Sequence, residues 1–310
     1  MTTSLYDSPA FAAAKPRLSV LIPFLRDNPS ALIQQLDTEA PALKARVEII
    51  LLDDGTNNAN LTQELRSILD VASLPIRLNT LGQNKGRSIG RNLLAEQASG
   101  DYFLFLDSDM KPDRPDFLQA WLEVVEAEDI QIAFGGFSLL QAPNDARFAV
   151  HRAMAAKSDC LTTNERQLHP EKYVFTSNLL IKSNILTEES FDPAFSGWGW
   201  EDVEWAMRVS RRYKVHHLDI PATHMGLDTV EALASKYEQS APNFARVLAK
   251  HPDFVTAYPS YRVARILRRL PARGLLRALL KLVMRSPILP ASLRGFSLRL
   301  YRAALYAEVV

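Results

Sequence analysis

Over its first 128 residues the chain alternates short apolar runs with longer stretches of helical period, and few folds accept that pattern. LSVLIP at 18–23 and VEIILL at 47–52 are the clearest runs, with further candidate strands at 75–79 and 102–106. Between them, residues 29–43, 61–71 and 86–98 place apolar side chains at three- and four-residue spacing, and residues 116–128 repeat this after the fourth run. Continuous apolar runs mark strands covered on both faces, and strand–helix alternation builds such parallel sheets. The expected fold is therefore α/β, with a Rossmann-like, mostly parallel central sheet flanked by helices. With 310 residues and 47% hydrophobic content the chain can bury the core that this needs.

In such sheets ligands bind beyond the carboxyl ends of the strands. The second run ends in Asp53, Asp54 and Gly55, and the fourth in Asp107, Ser108 and Asp109. Strands do not need those carboxylates, and two of them one residue apart repel unless a cation or hydrogen-bond donors hold them. A hard divalent cation, Mg or Mn, is commonly held by one or two carboxylates while phosphate oxygens complete its shell. The bland alternative for Asp107 and Asp109 is an acidic turn capping the next helix. Asp-Gly is likewise a strong turn signal, or else a carboxylate there accepts hydrogen bonds from a base or ribose. NKGRSIGRN at 84–92 sets Lys85, Arg87 and Arg91 at a helix start, which suits a diphosphate or, more simply, a solvated basic turn.

Beyond residue 128, strands are expected at 130–140, 173–182 and 215–220, and helices at 201–212 and 228–250. FSGWGWED at 195–202 is the least ordinary stretch: Trp198 and Trp200 alternate with Gly197 and Gly199, and the loop delivers Glu201 and Asp202 to a helix start. Tryptophan in a loop is often a core plug, but its face also stacks on sugar rings. A carboxylate at that helix start can serve as general base toward a hydroxyl. His224, after the last strand, is either a third metal ligand or a structural histidine.

Taken in order, LSVLIPF, LLDDGT, NKGRSIGRN, FLDSDMKPD and GWGWEDVEW make the region 18–226 resemble the inverting, metal-dependent glycosyltransferases of family two, which have the A-type glycosyltransferase fold. The GWG-x-ED form is most similar to the galactosyl- and N-acetylgalactosaminyl-transferring branch, including chondroitin-polymerase-type domains. The resemblance implies that Pro23, Asp53 and Asp54 lie by the nucleoside and Lys85 and Arg91 near the base or diphosphate. It implies that Asp109 ligates Mn or Mg, with Asp107 near ribose or metal, Ser108 between them, and His224 completing the site. Asp202 would be the base, with Glu201 beside it; Glu201 and Trp200 would contact acceptor or donor sugar, and Trp198 and Gly199 would bind the nucleotide-sugar. The implied donor is a UDP-sugar carrying a hexose or N-acetylhexosamine, and the acceptor a hydroxyl of a glycan or lipid-linked molecule in polysaccharide synthesis. A single domain of this kind implies one addition rather than processive polymerisation.

The formal charge of +1 hides an asymmetry, because residues 258–310 carry 11 Lys and Arg against a single Glu. Domains are thus expected at 1–17 (an extension), 18–255 (catalytic) and 256–310 (a basic amphipathic helical tail). The tail is expected to be helical, split near Pro271 and Gly274 and ended by Pro287 and Pro290, and to lie on an anionic membrane surface. Its rivals are ordinary packing against the body and nucleic-acid binding, but it lacks the interleaved aromatics of single-strand platforms, so no nucleic-acid partner is expected. A catalytically silent scaffold is the other alternative. With one cysteine, Cys160, and no basic region ahead of the short Ala/Phe run near the N-terminus, the expected location is cytoplasmic, peripheral on the inner face of the membrane.

Overall fold

The computed structural model describes residues 3–310. Its first sheet is built on the apolar runs: β2 (Leu18–Phe24), β3 (Val47–Asp53), β4 (Ile76–Leu81) and β5 (Tyr102–Leu106) lie parallel. Side chains alternate between faces along each strand. Leu18, Val20 and Ile22 of β2 join Val47, Ile49 and Leu51 of β3 under the helices Ser30–Asp37, Ala59–Leu69 and Phe117–Ala127. Leu21, Ile50, Leu52 and Phe105 face the other way, toward Leu94, Ile185 and Trp205.

Labelling the remaining strands β1 (Thr3–Asp7), β6 (Met110–Pro112), β7 (Ile132–Phe134), β8 (Phe137–Ser138), β9 (Asn178–Lys182), β10 (His216–His217) and β11 (Ala222–His224), the large sheet runs β1-β4-β3-β2-β5-β9-β7-β10. β1 extends the edge antiparallel to β4, so the N-terminal extension is part of the sheet. β9 is antiparallel to both β5 and β7. The strand order reverses at β2, and the crevice between the carboxyl ends of β2 and β5 is the switch point at which such sheets bind ligands.

Three differences from the sequence expectation have local causes. The run at 130–140 is broken at Gly135–Gly136, because Gly136 takes φ +102 and a side chain on Gly135 would meet Asn178 within 2.5 Å. β7 therefore stays in the large sheet while β8 joins β11 and β6 in a second, three-stranded sheet. The strand expected at 215–220 shrinks to β10, and the short β11 follows Pro221. Only the second half of 173–182 is a strand, since Pro170–Tyr173 form a 3-10 turn.

The tail forms three helices, Pro259–Arg268, Arg273–Arg285 and Ala291–Tyr306. Pro271 and the left-handed Ala272 lie in the break between the first two, Gly274 lies inside the second, the second ends at Arg285 ahead of Pro287, and Pro290 is the N-cap of the third. The third helix packs on the body: Leu298, Tyr301 and Ala304 join Val150, Met154, Leu233 and Tyr237, and Tyr306 joins Phe195, Met207 and Phe244. Among the described residues, no helix is long and apolar enough to cross a membrane.

Candidate active site

The loops after β3 and β4 are clamped to each other by the Asp53-Asp54-Gly55 corner. Asp54 accepts hydrogen bonds from the backbone N–H groups of Lys85 (2.7 Å) and Gly86 (3.0 Å), and Asp53 from that of Thr56 (2.7 Å). Both carboxylates are buried, and burial pushes Asp54 above the ordinary carboxylate value despite those two donors. Gly55 sits at φ +87, where a Cβ would lie 2.5 Å from the backbone nitrogen of Asn84. This corner shapes one end of the crevice beyond the strand ends. Pro23 lies half-buried at the end of β2 and Lys85 half-buried at the rim.

The helix Arg87–Gln97 carries Arg91 inward, to 2% exposure. Its guanidinium donates to Glu201 Oε1 at 3.0 Å and lies 3.6 Å from Asp107 Oδ1. One buried cation thus joins the carboxylate cluster after β5 to the one that opens the helix Glu201–Val209. Arg91, expected near the base or diphosphate, contacts the Glu201 and Asp107 carboxylates. Burial disfavours its charge, but Asp107, Glu201 and Asp202 outweigh that and hold the guanidinium above its ordinary value.

Glu201 is itself buried; burial raises it, and Arg91 and Arg87 more than reverse the effect, so it stays charged below the usual carboxylate range. Asp202, its neighbour, stands only half-buried, with Oδ1 accepting from the Val203 N–H at 2.9 Å. Burial and the adjacent Glu201 charge push Asp202 up to about 7, against the pull of Arg91. Two neighbouring carboxylates are thereby driven apart, one locked as an anion and one able to take a proton near neutrality, the division expected of a positioning group and a base. Glu201, expected beside the base, holds Arg91.

Asp109 and Ser108, at the turn between β5 and β6, are half-exposed. β11 pairs with β6 so that His224 stands opposite Met110, and His224 Nε2 approaches Asp109 Oδ2 at 3.3 Å. Burial lowers His224, but the hydrogen bond and charge of Asp109 raise it above its ordinary value; Asp109 in turn falls below its own, burial being outweighed by His224. The Met225 N–H donates to the Asp109 carbonyl at 2.9 Å, and a Cβ on Gly226 would lie 1.9 Å from Asp109 Oδ2.

This pair fits a divalent cation. Adjacent ligands about 2.1 Å from an octahedral metal sit roughly 3 Å apart, close to the observed spacing; the carboxylate suits Mn or Mg, while the imidazole favours a transition metal over Mg. Among the described residues no group of three or more His, Cys, Asp or Glu converges as a cage. Asp107, held toward Arg91, stands outside the pair. Two protein ligands leave the rest of the shell for substrate oxygens and water.

The Trp-Gly loop is held from behind. Gly197 and Gly199 take φ +73 and +88, and Trp200 is also left-handed at φ +78. Asn243 Nδ2 donates to the carbonyls of Ser196 and Gly199, each at 2.9 Å. Trp200, expected against a sugar, packs on Phe244 and Tyr306, and its Nε1–H donates to Tyr306 Oη at 2.9 Å. Trp198 is half-buried, its ring 6.0 Å from that of Tyr237 and under the Lys236 ammonium. Asn243, Tyr306 and Lys236 were invisible as site residues in the sequence, as was Asp27, which burial and the charge of Asp109 raise above its ordinary value.

Residues 19–186 match the sequence model of Glycosyl transferase family 2, more than half of the chain. The chain belongs to that family. Polypeptide N-acetylgalactosaminyltransferase 3 of Drosophila melanogaster is 30% identical over 115 residues, which are 36% of this chain and 16% of that protein's length. In fold, the chain is similar to the mannosyltransferase PcManGT from Pyrobaculum calidifontis, solved with GDP-Man and Mn2+, with a TM-score of 0.60 at 14% identity over 99% of this chain and 90% of that one. S. aureus TarS 1-349 gives a TM-score of 0.50 at 14% identity, covering 92% of this chain and 89% of that one. The family 2 chain has the A-type glycosyltransferase fold.

Proposed function

We propose that the chain transfers a hexose or N-acetylhexosamine from a UDP-sugar to a hydroxyl of a glycan or lipid-linked acceptor, with inversion at the anomeric carbon and with Mn or Mg. The observation that carries this reading is the meeting of Asp107, Arg91, Glu201 and Asp202 in one continuous charged array, with the Asp109–His224 pair on the same turn as Asp107. In this reading the nucleotide, metal and base positions share one crevice.

In this mechanism Asp202 accepts the proton of the acceptor hydroxyl as its oxygen bonds to the anomeric carbon from the face opposite the nucleotide. The bond from that carbon to the diphosphate oxygen breaks, and the electron pair leaves with UDP. Asp109 and His224 would hold the cation, which would offset the charge gathering on the leaving diphosphate. Arg91 fixes Glu201, and Glu201 keeps Asp202 basic enough to act near neutrality. UDP as the nucleotide is supported by the family resemblance of the DSD and GWG-x-ED motifs, and TarS was solved with UDP. An N-acetylhexosamine donor is favoured by the Drosophila relative's own name. Assignment to the galactosyl and N-acetylgalactosaminyl branch belongs to the same proposal, as does a role in polysaccharide synthesis.

The test is nucleotide-sugar binding by calorimetry with UDP-GalNAc, UDP-Gal, UDP-GlcNAc and UDP-GlcA, each with and without Mn, repeated on Asp109→Asn. Metal-dependent binding of one donor, lost in the variant, supports the reading. Binding of none of them, nor of UDP, overturns it.

A further inference from the structure

A helix that packs on a body needs one apolar face, and the second tail helix has two. Leu280 and Met284 are buried against the body, with Leu276 partly buried beside them. Leu275, Leu279 and Leu282, spaced i, i+4 and i+7, form a separate stripe on the solvent side, exposed by 63%, 51% and 70%. Ile266 and Leu270 at the end of the first tail helix and Ile288, Leu293 and Phe296 beyond the second are exposed as well. Of the twelve large apolar side chains exposed among the described residues, these make eight, concentrated in about a tenth of the chain. Scattered exposed leucines need no explanation, but a concentration of this kind, with a stripe at helical spacing, does.

Charge decides what covers it. Arg273 and Arg277 pair with Glu308, Lys281 with Glu238 and Arg285 with Glu231. Arg262, Arg265, Arg268 and Arg269, all exposed on the first tail helix, take part in no ion pair among the described residues. No Asp or Glu occurs between Asp253 and Glu308. A second copy of the chain would bring these unpaired guanidinium groups against one another. A flat surface that is anionic outside and apolar beneath satisfies both halves of the patch, with long Arg stems lying along the apolar boundary and their heads at the charged layer.

We infer that the exposed face of residues 262–296 is a docking surface for an anionic lipid bilayer, bound in the plane of the interface without crossing it. This goes beyond the transfer reaction and does not depend on it. The third tail helix, which shares a core with the second, also reaches Trp200 through Tyr306, so the docked face and the active-site loop belong to one packed unit.

The test is flotation of the full chain with vesicles of phosphatidylcholine alone and with about 30 mol% phosphatidylglycerol, at low and high salt, with sedimentation velocity run in parallel. The expected result is a roughly tenfold or greater gain in bound fraction on the anionic vesicles, weakened by salt. Leu275→Ser/Leu279→Ser/Leu282→Ser should lose most binding to anionic vesicles. Arg262→Gln/Arg265→Gln/Arg268→Gln/Arg269→Gln should lose the preference for anionic lipid. All these side chains are exposed, so both variants should retain the thermal midpoint of the parent, which separates lost docking from lost folding. Equal binding to both vesicles, no binding to either, or concentration-dependent self-association abolished by the leucine variant would each overturn the inference.

Discussion

Arg91→Met removes the cation that joins the two acidic clusters. Glu201, 4% exposed as a side chain and 3.0 Å from the guanidinium, would then be a buried charge left with only the exposed Arg87 guanidinium, 3.8 Å away, as a partner. Stranding one member of a buried pair costs about 3–5 kcal/mol, and much of that is the desolvation of the survivor. For a chain of this length each kcal/mol moves the thermal midpoint by roughly 1.5 °C, so a fall of about 4–8 °C is expected. The double variant Arg91→Met/Glu201→Met replaces the pair with apolar side chains and should recover most of that loss, since Asp107 is only half-buried and its weaker pairing is worth at most about 1 kcal/mol. Scanning calorimetry on parent, both single variants and the double variant gives the coupling energy directly. The reasoning is refuted if Arg91→Met lowers the midpoint by less than about 2 °C, or if the effects of the two single changes simply add.

Glu201→Gln should lower the titration of Asp202, because the Glu201 charge is, after burial, what raises it; the alkaline rise of kcat, centred near pH 7 in the parent, would then move to lower pH. Because Asp202 is raised in the folded state, folding takes up a proton between about pH 4 and 7, and stability falls as pH rises through that window. Asp202→Asn should therefore be more stable than the parent at pH 8, with the difference shrinking by pH 4, in paired thermal melts. Gly226→Ala would put a methyl group 1.9 Å from Asp109 Oδ2, so Mn-dependent nucleotide binding should fall at least tenfold by calorimetry while metal-independent binding changes less. Tyr306→Phe leaves the Trp200 Nε1–H and the Ser240 hydroxyl without their shared partner, at about 1–3 kcal/mol. It should lower kcat several-fold with donor KM little changed, which a steady-state assay would show.

The strand ends were legible because they need only a few consecutive residues: an apolar run followed by Asp53-Asp54-Gly55 or Asp107-Ser108-Asp109 states both the strand and where it stops. The array that makes those carboxylates a site was not, since Arg91 and Glu201 are 110 residues apart and no local pattern distinguishes a cation aimed at a diphosphate from one aimed at a buried carboxylate. Placing His224 with the acidic cluster required β6 and β11, three residues each and too short to show alternation. The tail shows the same limit differently. Its Arg and Leu periodicity announced helices, but both faces of the second helix are apolar, so spacing could not tell the stripe that packs from the one left exposed. Nor could it bring Tyr306 to Trp200, 106 residues away, which is what holds the Trp-Gly loop.

The central claim is that Asp202 accepts the acceptor's proton while Asp109 and His224 serve the metal and diphosphate. The most direct test is the single-turnover rate of sugar transfer by Asp202→Asn at saturating donor, Mn and acceptor, with donor affinity measured in the same preparation. Loss of a general base predicts a rate about 10²–10⁴-fold below the parent with donor affinity within a few-fold of it. A rate within about tenfold of the parent would place the base elsewhere and contradict the account.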